Sequence, residues 1–116
     1  MVPAKLALDF FLSYASENEA QVRQLQQLFE TRYGIPCFVA QDRVRYGADV
    51  QELIRQRIES SSHLIALVSP HSDASKWVQY ERDHALRHQV PVLEVWVDPH
   101  ADPEPARAGS RRLDLR

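Results

Sequence analysis

Hydrophobic positions along the chain come in short continuous runs that alternate with helically spaced stripes. Residues 6–12 form the first run, interrupted only by Asp9. A run of this kind reads as a strand buried on both faces, as a parallel sheet requires. Ser16-Glu17-Asn18-Glu19 fits a capping box, in which Ser16 takes a backbone N–H and Glu19 reaches back. The helix it predicts carries Val22, Leu25, Leu28, Phe29 and Tyr33 on one stripe and stops at Gly34 and Pro36. Residues 35–39 predict a second strand. The polar segment 41–49, with Gly47, reads as an exposed loop. Val50, Leu53, Ile54 and Ile58 mark a second helix ended by Ser60-Ser61-Ser62, and residues 63–68 predict a third strand closed by Ser69-Pro70. Residues 76–88 predict a third helix and residues 90–97 a fourth strand.

This order is strand-helix-strand-helix-strand-helix-strand. Helices on both faces of a parallel sheet, joined by right-handed crossovers, satisfy it. The expected fold is α/β, a flavodoxin-like three-layer sandwich with four to five parallel strands. Residues 1–97 would be the domain core. Beyond Asp98 prolines 99, 103 and 105 and Gly109 dominate, so 98–116 reads as a loop or linker, with a short final edge strand at 112–115 where Leu113 and Leu115 alternate with polar residues. In such sheets ligands gather at the carboxyl ends of the strands, where strand order reverses. That draws attention to segments 13–16, 41–47 and 69–75.

Composition narrows the classes. The 116 residues fit one domain, with 44% hydrophobic and 26% charged residues. A net charge of −2 offers no footprint for nucleic acid or an anionic membrane. The lone Cys37 excludes an internal disulfide and reads as a buried thiol in a reducing compartment. The N-terminus shows no cleavage pattern and no run reaches membrane-spanning length, so the expected location is the cytoplasm. No carboxylates follow the first strand and no aspartate ends the third, which excludes a phosphoacceptor receiver. Tyr14-Ala15-Ser16-Glu17 lacks the glycines of a dinucleotide turn, and no P-loop is present.

On a helical wheel of about 100° per residue, Trp77, Val78, Glu81, His84, Ala85 and His88 share one side of the third helix. A carboxylate in an apolar stripe needs a partner or a function. It is also readable as a boundary residue whose carboxylate reaches water. Glu81, His84 and His88 have metal-compatible spacing, but no further Cys/His cluster completes a site, and the expectation is no metal.

Taken together, Asp9-Phe10-Phe11-Leu12-Ser13-Tyr14, Asp42-Arg43-Val44-Arg45-Tyr46-Gly47, Val68-Ser69-Pro70 and Trp77-Val78-Gln79-Tyr80-Glu81 resemble the TIR (Toll/interleukin-1 receptor) domain family in order and spacing. The first segment looks like its first conserved box, 41–47 like its BB loop, and Trp77-x-x-x-Glu81 occupies its third-helix position. Tyr46-Gly47 stands where receptor-type members usually have Pro-Gly, and Ala15 where many catalytic members carry a basic residue. The family's last helix has no counterpart, which suggests a shortened domain or one cut from a larger protein with a sensor domain.

The resemblance implies a chemistry. Catalytic members cleave the nicotinamide–ribose bond of NAD⁺ with a glutamate whose matching position is Glu81. Nicotinamide leaves from a cationic ring, so no strong acid is needed, and a carboxylate can stabilise the charge that builds on ribose. Tyr14, Ala15, Ser16, Asp42, Arg43 and Trp77 match positions near the substrate. The loop Arg43, Val44, Arg45, Tyr46 and Gly47 implies self-association with other TIR domains, triggered by a fused or partnered sensor. NAD⁺ would be substrate, with no cofactor. Prokaryotic members often act in antiviral defence, by depleting NAD⁺ or by making a cyclic ADP-ribose signal. The alternatives are a non-catalytic TIR–TIR interaction module, since some adaptor members share the Trp-x-x-x-Glu spacing, and an inactive mimic of host TIR domains.

Overall fold

A computed structural model describes residues 7–39, 48–71, 75–96 and 110–114, with backbone alone for 48–50 and 110–114. Five strands form one parallel sheet in the order β2-β1-β3-β4-β5: β1 Phe10–Ser13, β2 Cys37–Val39, β3 His63–Val68, β4 Val92–Trp96 and β5 Ser110–Asp114. Among the described residues the long helices are α1 Glu19–Arg32, α2 Ala48–Ser60 and α3 Lys76–Arg87, with a 3-10 turn at Ser16–Asn18 ahead of α1. The order reverses between β1 and β3, the flavodoxin-like arrangement expected from the hydrophobic pattern. Among the described residues no helix is long and apolar enough to cross a membrane.

Strand side chains alternate between two half-cores. Phe10 and Leu12 of β1, Ile65 and Leu67 of β3 and Val95 of β4 pack with Val22 and Leu25 of α1. Phe11, Leu64, Ala66 and Val92 pack on the other face with Ile54 and Ile58 of α2 and Ala85 of α3. By the same parity Ser13, Glu94 and Trp96 belong to the α2/α3 side.

The ends of the elements depart from the pattern for identifiable reasons. β1 starts at Phe10, leaving the described residues 7–9 of the predicted run outside it, and the Asp9 backbone is taken by Ser62. Asp9 N–H donates to Ser62 Oγ (2.9 Å), and Ser62 N–H donates to the Asp9 carbonyl (2.8 Å). The capping box does not form. Ser16 Oγ donates to Glu17 Oε1 (3.1 Å), α1 begins at Glu19, and its N-cap Asn18 makes no side-chain cap. Leu28 and Tyr33 are exposed, leaving Val22 and Leu25 as the buried stripe. Gly34 (φ 64) turns the chain after α1 so that Ile35 N–H donates to the Phe29 carbonyl (3.0 Å). That leaves Ile35 outside β2. Leu53 is exposed rather than part of the α2 core face. β4 begins at Val92 because Val90 N–H caps α3 through the Ala85 carbonyl (2.8 Å) and Pro91 has no N–H to give. The last strand lies at 110–114, two residues earlier than expected, and pairs with β4 from Ser110↔Val92 to Asp114↔Trp96.

Candidate functional site

The carboxyl ends of β1 and β3 meet the start of α1 and the inner face of α3. Four polar side chains are buried there: Ser13, Asn18, Ser69 and Glu81, each 2% exposed or less. Burying polar groups is costly unless they are paired, and here they pair across long sequence separations. Ser13 Oγ, at the end of β1, donates to Glu81 Oε1 at 2.7 Å. Ser69 Oγ, just past β3, donates to Asn18 Oδ1 at 2.5 Å, and His71 N–H donates to Ser69 Oγ at 3.2 Å. Asn18 is thus turned inward to Ser69, which is why it does not cap α1.

α3 presents Glu81 to Ser13 through its own phase. Ser75 caps the helix by accepting from Val78 N–H (3.3 Å), and Val78, Glu81 and Ala85 form the buried stripe against the sheet. The neighbouring stripe of Trp77, Tyr80, His84 and His88 turns toward α2 instead. The expectation that all six wheel positions share one side is therefore corrected. Two adjoining stripes divide them, and only Glu81 among the polar positions faces the sheet. Trp77 is half-buried. It meets Tyr80 edge-on (centroids 6.5 Å) and, with Gln51, Lys76 and Tyr80, lines a surface recess of about 310 Å³.

The other expected site residues fall as follows. Tyr14 and Ala15, directly after β1, are both 3% exposed, and the Tyr14 side chain belongs to the α1-side core. Ser16 is exposed. Beside it the Glu17 carboxyl is held below its ordinary range by a backbone hydrogen bond and by the Ser16 hydroxyl, with His71 at 3.4 Å adding to this. Asp42, Arg43, Val44, Arg45, Tyr46 and Gly47 lie outside the described residues. Ser13 and Ser69 fall in the strand-end segments 13–16 and 69–75, but neither they nor Asn18 had an expected role in the site. Small polar residues at the ends of buried strands were the available signal, and only the topology shows which of them pair.

The His84–His88 pair also differs from expectation. Glu81 faces away from it, and the carboxylate beside it is Glu59 of α2, with Glu59 Oε2 2.9 Å from His84 Nε2.

A family model of the TIR domain matches residues 10–116. No curated protein matches the sequence. Among solved structures, the chain is similar to the TIR domains in the structure of the activated Roq1 resistosome directly recognizing the pathogen effector XopQ. That likeness has a TM-score of 0.62 and 23% identity, and covers 79% of this chain. The chain spans 60% of the length of that one. It also resembles a 3-dehydroquinate dehydratase-like protein from Bifidobacterium longum, with a TM-score of 0.50 and 12% identity over 90% of this chain and 84% of the other. At these identities both likenesses speak to the fold alone.

Proposed function

The chain belongs to the TIR domain family, and on that premise we propose that it is an NAD⁺ nucleosidase with Glu81 as its catalytic carboxylate. The observation that carries this reading is the position of Glu81: a buried carboxylate at the β1/β3 switch point, oriented by the Ser13 hydroxyl at 2.7 Å. This is where a doubly wound sheet takes its ligands.

In the proposed reaction the bond between ribose C1′ and the nicotinamide nitrogen breaks, and its electron pair leaves with nicotinamide. Positive charge grows on the ribose. Glu81 stabilises that charge in surroundings of low dielectric, where a fixed charge acts more strongly than in water. Ser13 is a positioning residue that holds one carboxylate oxygen. Attack of water at C1′ releases a proton and gives ADP-ribose; attack by a nucleophile of the same molecule gives a cyclic isomer. Tyr14, Ala15 and Ser16 at the end of β1, with Asp42 and Arg43, are the proposed substrate contacts; Trp77, which turns toward α2, is not among them.

Glu81 is 0% exposed in the single chain, so it reaches a ribose only after its cover moves. We assign that movement to self-association through residues 43–47. The setting of the similar TIR domains, an activated resistosome, supports assembly as the switch. The proposed trigger is a fused or partnered sensor, and the proposed context is antiviral defence in the cytoplasm. The same burial favours a second reading, in which Ser13–Glu81 is a structural clasp between β1 and α3 in a non-catalytic TIR–TIR interaction module.

The test is nicotinamide release from NAD⁺ by the chain at high concentration or artificially clustered. Release that requires clustering supports the enzyme; no release under any clustering condition leaves the interaction module.

A further inference from the structure

The facing sides of α2 and α3 carry a second cluster, separate from the proposed NAD⁺ site and independent of that reading. We propose that Glu59, His84 and His88 form a three-ligand site for a zinc-class divalent cation. One ligand atom from each residue lies within 4.8 Å of the others. His84 and His88 stand four apart on α3, so their imidazoles project from one face and sit with ring centroids 4.3 Å apart. Glu59 reaches across from the last turn of α2: one carboxylate oxygen is 2.9 Å from His84 Nε2 and the other 4.0 Å from His88 Nδ1.

The two distances run to different oxygens of Glu59, and one donor atom from each residue lies within 4.8 Å of the others, close to what a tetrahedral metal requires. Ligand bonds of about 2.0–2.2 Å put neighbouring donor atoms about 3.3 Å apart. The Glu59–His84 contact must open slightly and the Glu59–His88 contact must close. Glu59 and His88 are exposed, with side-chain accessibilities of 42% and 45%, so rotamer changes bring this about without repacking the core. The His84 side chain is 11% exposed and braced by Tyr80, whose ring stacks on it (centroids 6.2 Å, 22°) and whose hydroxyl accepts from Arg55 Nη1 at 2.9 Å. One ligand is therefore fixed and two adapt.

Two further features select the ion. Two imidazoles and one carboxylate suit zinc, nickel or copper rather than magnesium or calcium, which take oxygen ligands. The cluster also gathers at two helix C-termini: Glu59 is the penultimate residue of α2, and His88 caps α3. The partial negative charge at both ends favours a cation. Three protein ligands leave a fourth position open to water. Bound there, the ion would staple the end of α3 to the end of α2.

The experiment titrates the full chain, freed of metal by chelation, with Zn²⁺ by calorimetry and with Co²⁺ by visible absorption. We expect one equivalent to bind in the micromolar range, a tetrahedral cobalt spectrum and a raised melting temperature. His84→Ala and His88→Ala each weaken binding by at least about tenfold, whereas His71→Ala and Cys37→Ser leave it unchanged. Circular dichroism establishes that each variant is folded. Absence of saturable binding up to millimolar Zn²⁺ overturns the proposal, as does wild-type binding by a folded His84→Ala/His88→Ala double variant.

Discussion

The inner, sheet-facing side of α3 and its outer, α2-facing side set similar groups in different surroundings. Inside, Glu81 is fully buried and held by Ser13 from β1. Outside, Glu59 of α2 meets His84 and His88 in partial contact with water. A buried carboxylate has no solvent to fall back on, so each partner counts. An exposed one trades partners for water at little cost. Two helical stripes a fraction of a turn apart thus give one helix a rigid, high-stakes face and an adaptable one.

The largest effect should come from removing the inner carboxylate. Glu81→Ala is expected to reduce nicotinamide release by clustered protein at least about a hundredfold, measured by chromatography. Ser13→Ala should lower unfolding stability by about 1–3 kcal/mol by stripping one partner from a buried acceptor, read from denaturant melts. On the outer face, Glu59→Gln in metal-free protein should cost no more than about 1 kcal/mol. A loss there as large as that for Ser13→Ala would erase the distinction between the two faces.

Much of this contrast was legible in the sequence, and the rest had physical reasons not to be. The continuous runs around Phe11, Leu64 and Val92 read as buried parallel strands because both of their faces carry apolar residues. Glu81 stood out because its stripe contains Val78 and Ala85. The wheel could not tell that Trp77 and His84 turn to α2, since which of two adjoining stripes meets the sheet depends on packing. Ser13 and the Asn18–Ser69 pair were hidden because small polar residues become informative only when strand order places them side by side. Glu59, twenty-five positions from His84, was likewise invisible to any local spacing rule.

Two smaller tests probe the edge of the sheet and the end of α3. Burial, with Glu30 and Asp9 nearby, pushes the Cys37 thiol up to about 12. A folded-state value above the unfolded one means that the thiol's contribution to stability is whole below the unfolded value of about 8.5. It is lost progressively as pH rises from there toward 12, because the unfolded chain releases its proton first. Cys37→Ala should therefore flatten the alkaline limb of stability against pH, measured by thermal melts from neutral to alkaline pH. At the end of α3, Gln89 adopts φ 62, and the N–H groups of Gln89 and Val90 donate to Leu86 and Ala85. This is a left-handed cap that costs a side chain energy. Gln89→Gly should add about 1 kcal/mol, seen as a melting temperature a few degrees higher.

The central claim is that the inner carboxylate does chemistry as well as holding α3 to β1, and Glu81→Gln separates the two. The amide keeps the shape and an acceptor for Ser13 but carries no charge. The direct measurement is nicotinamide release from NAD⁺ by clustered wild type and clustered Glu81→Gln at equal folded concentration. The expected result is release by the wild type and its loss in a variant that is still folded and still assembles. Equal release by both would contradict it.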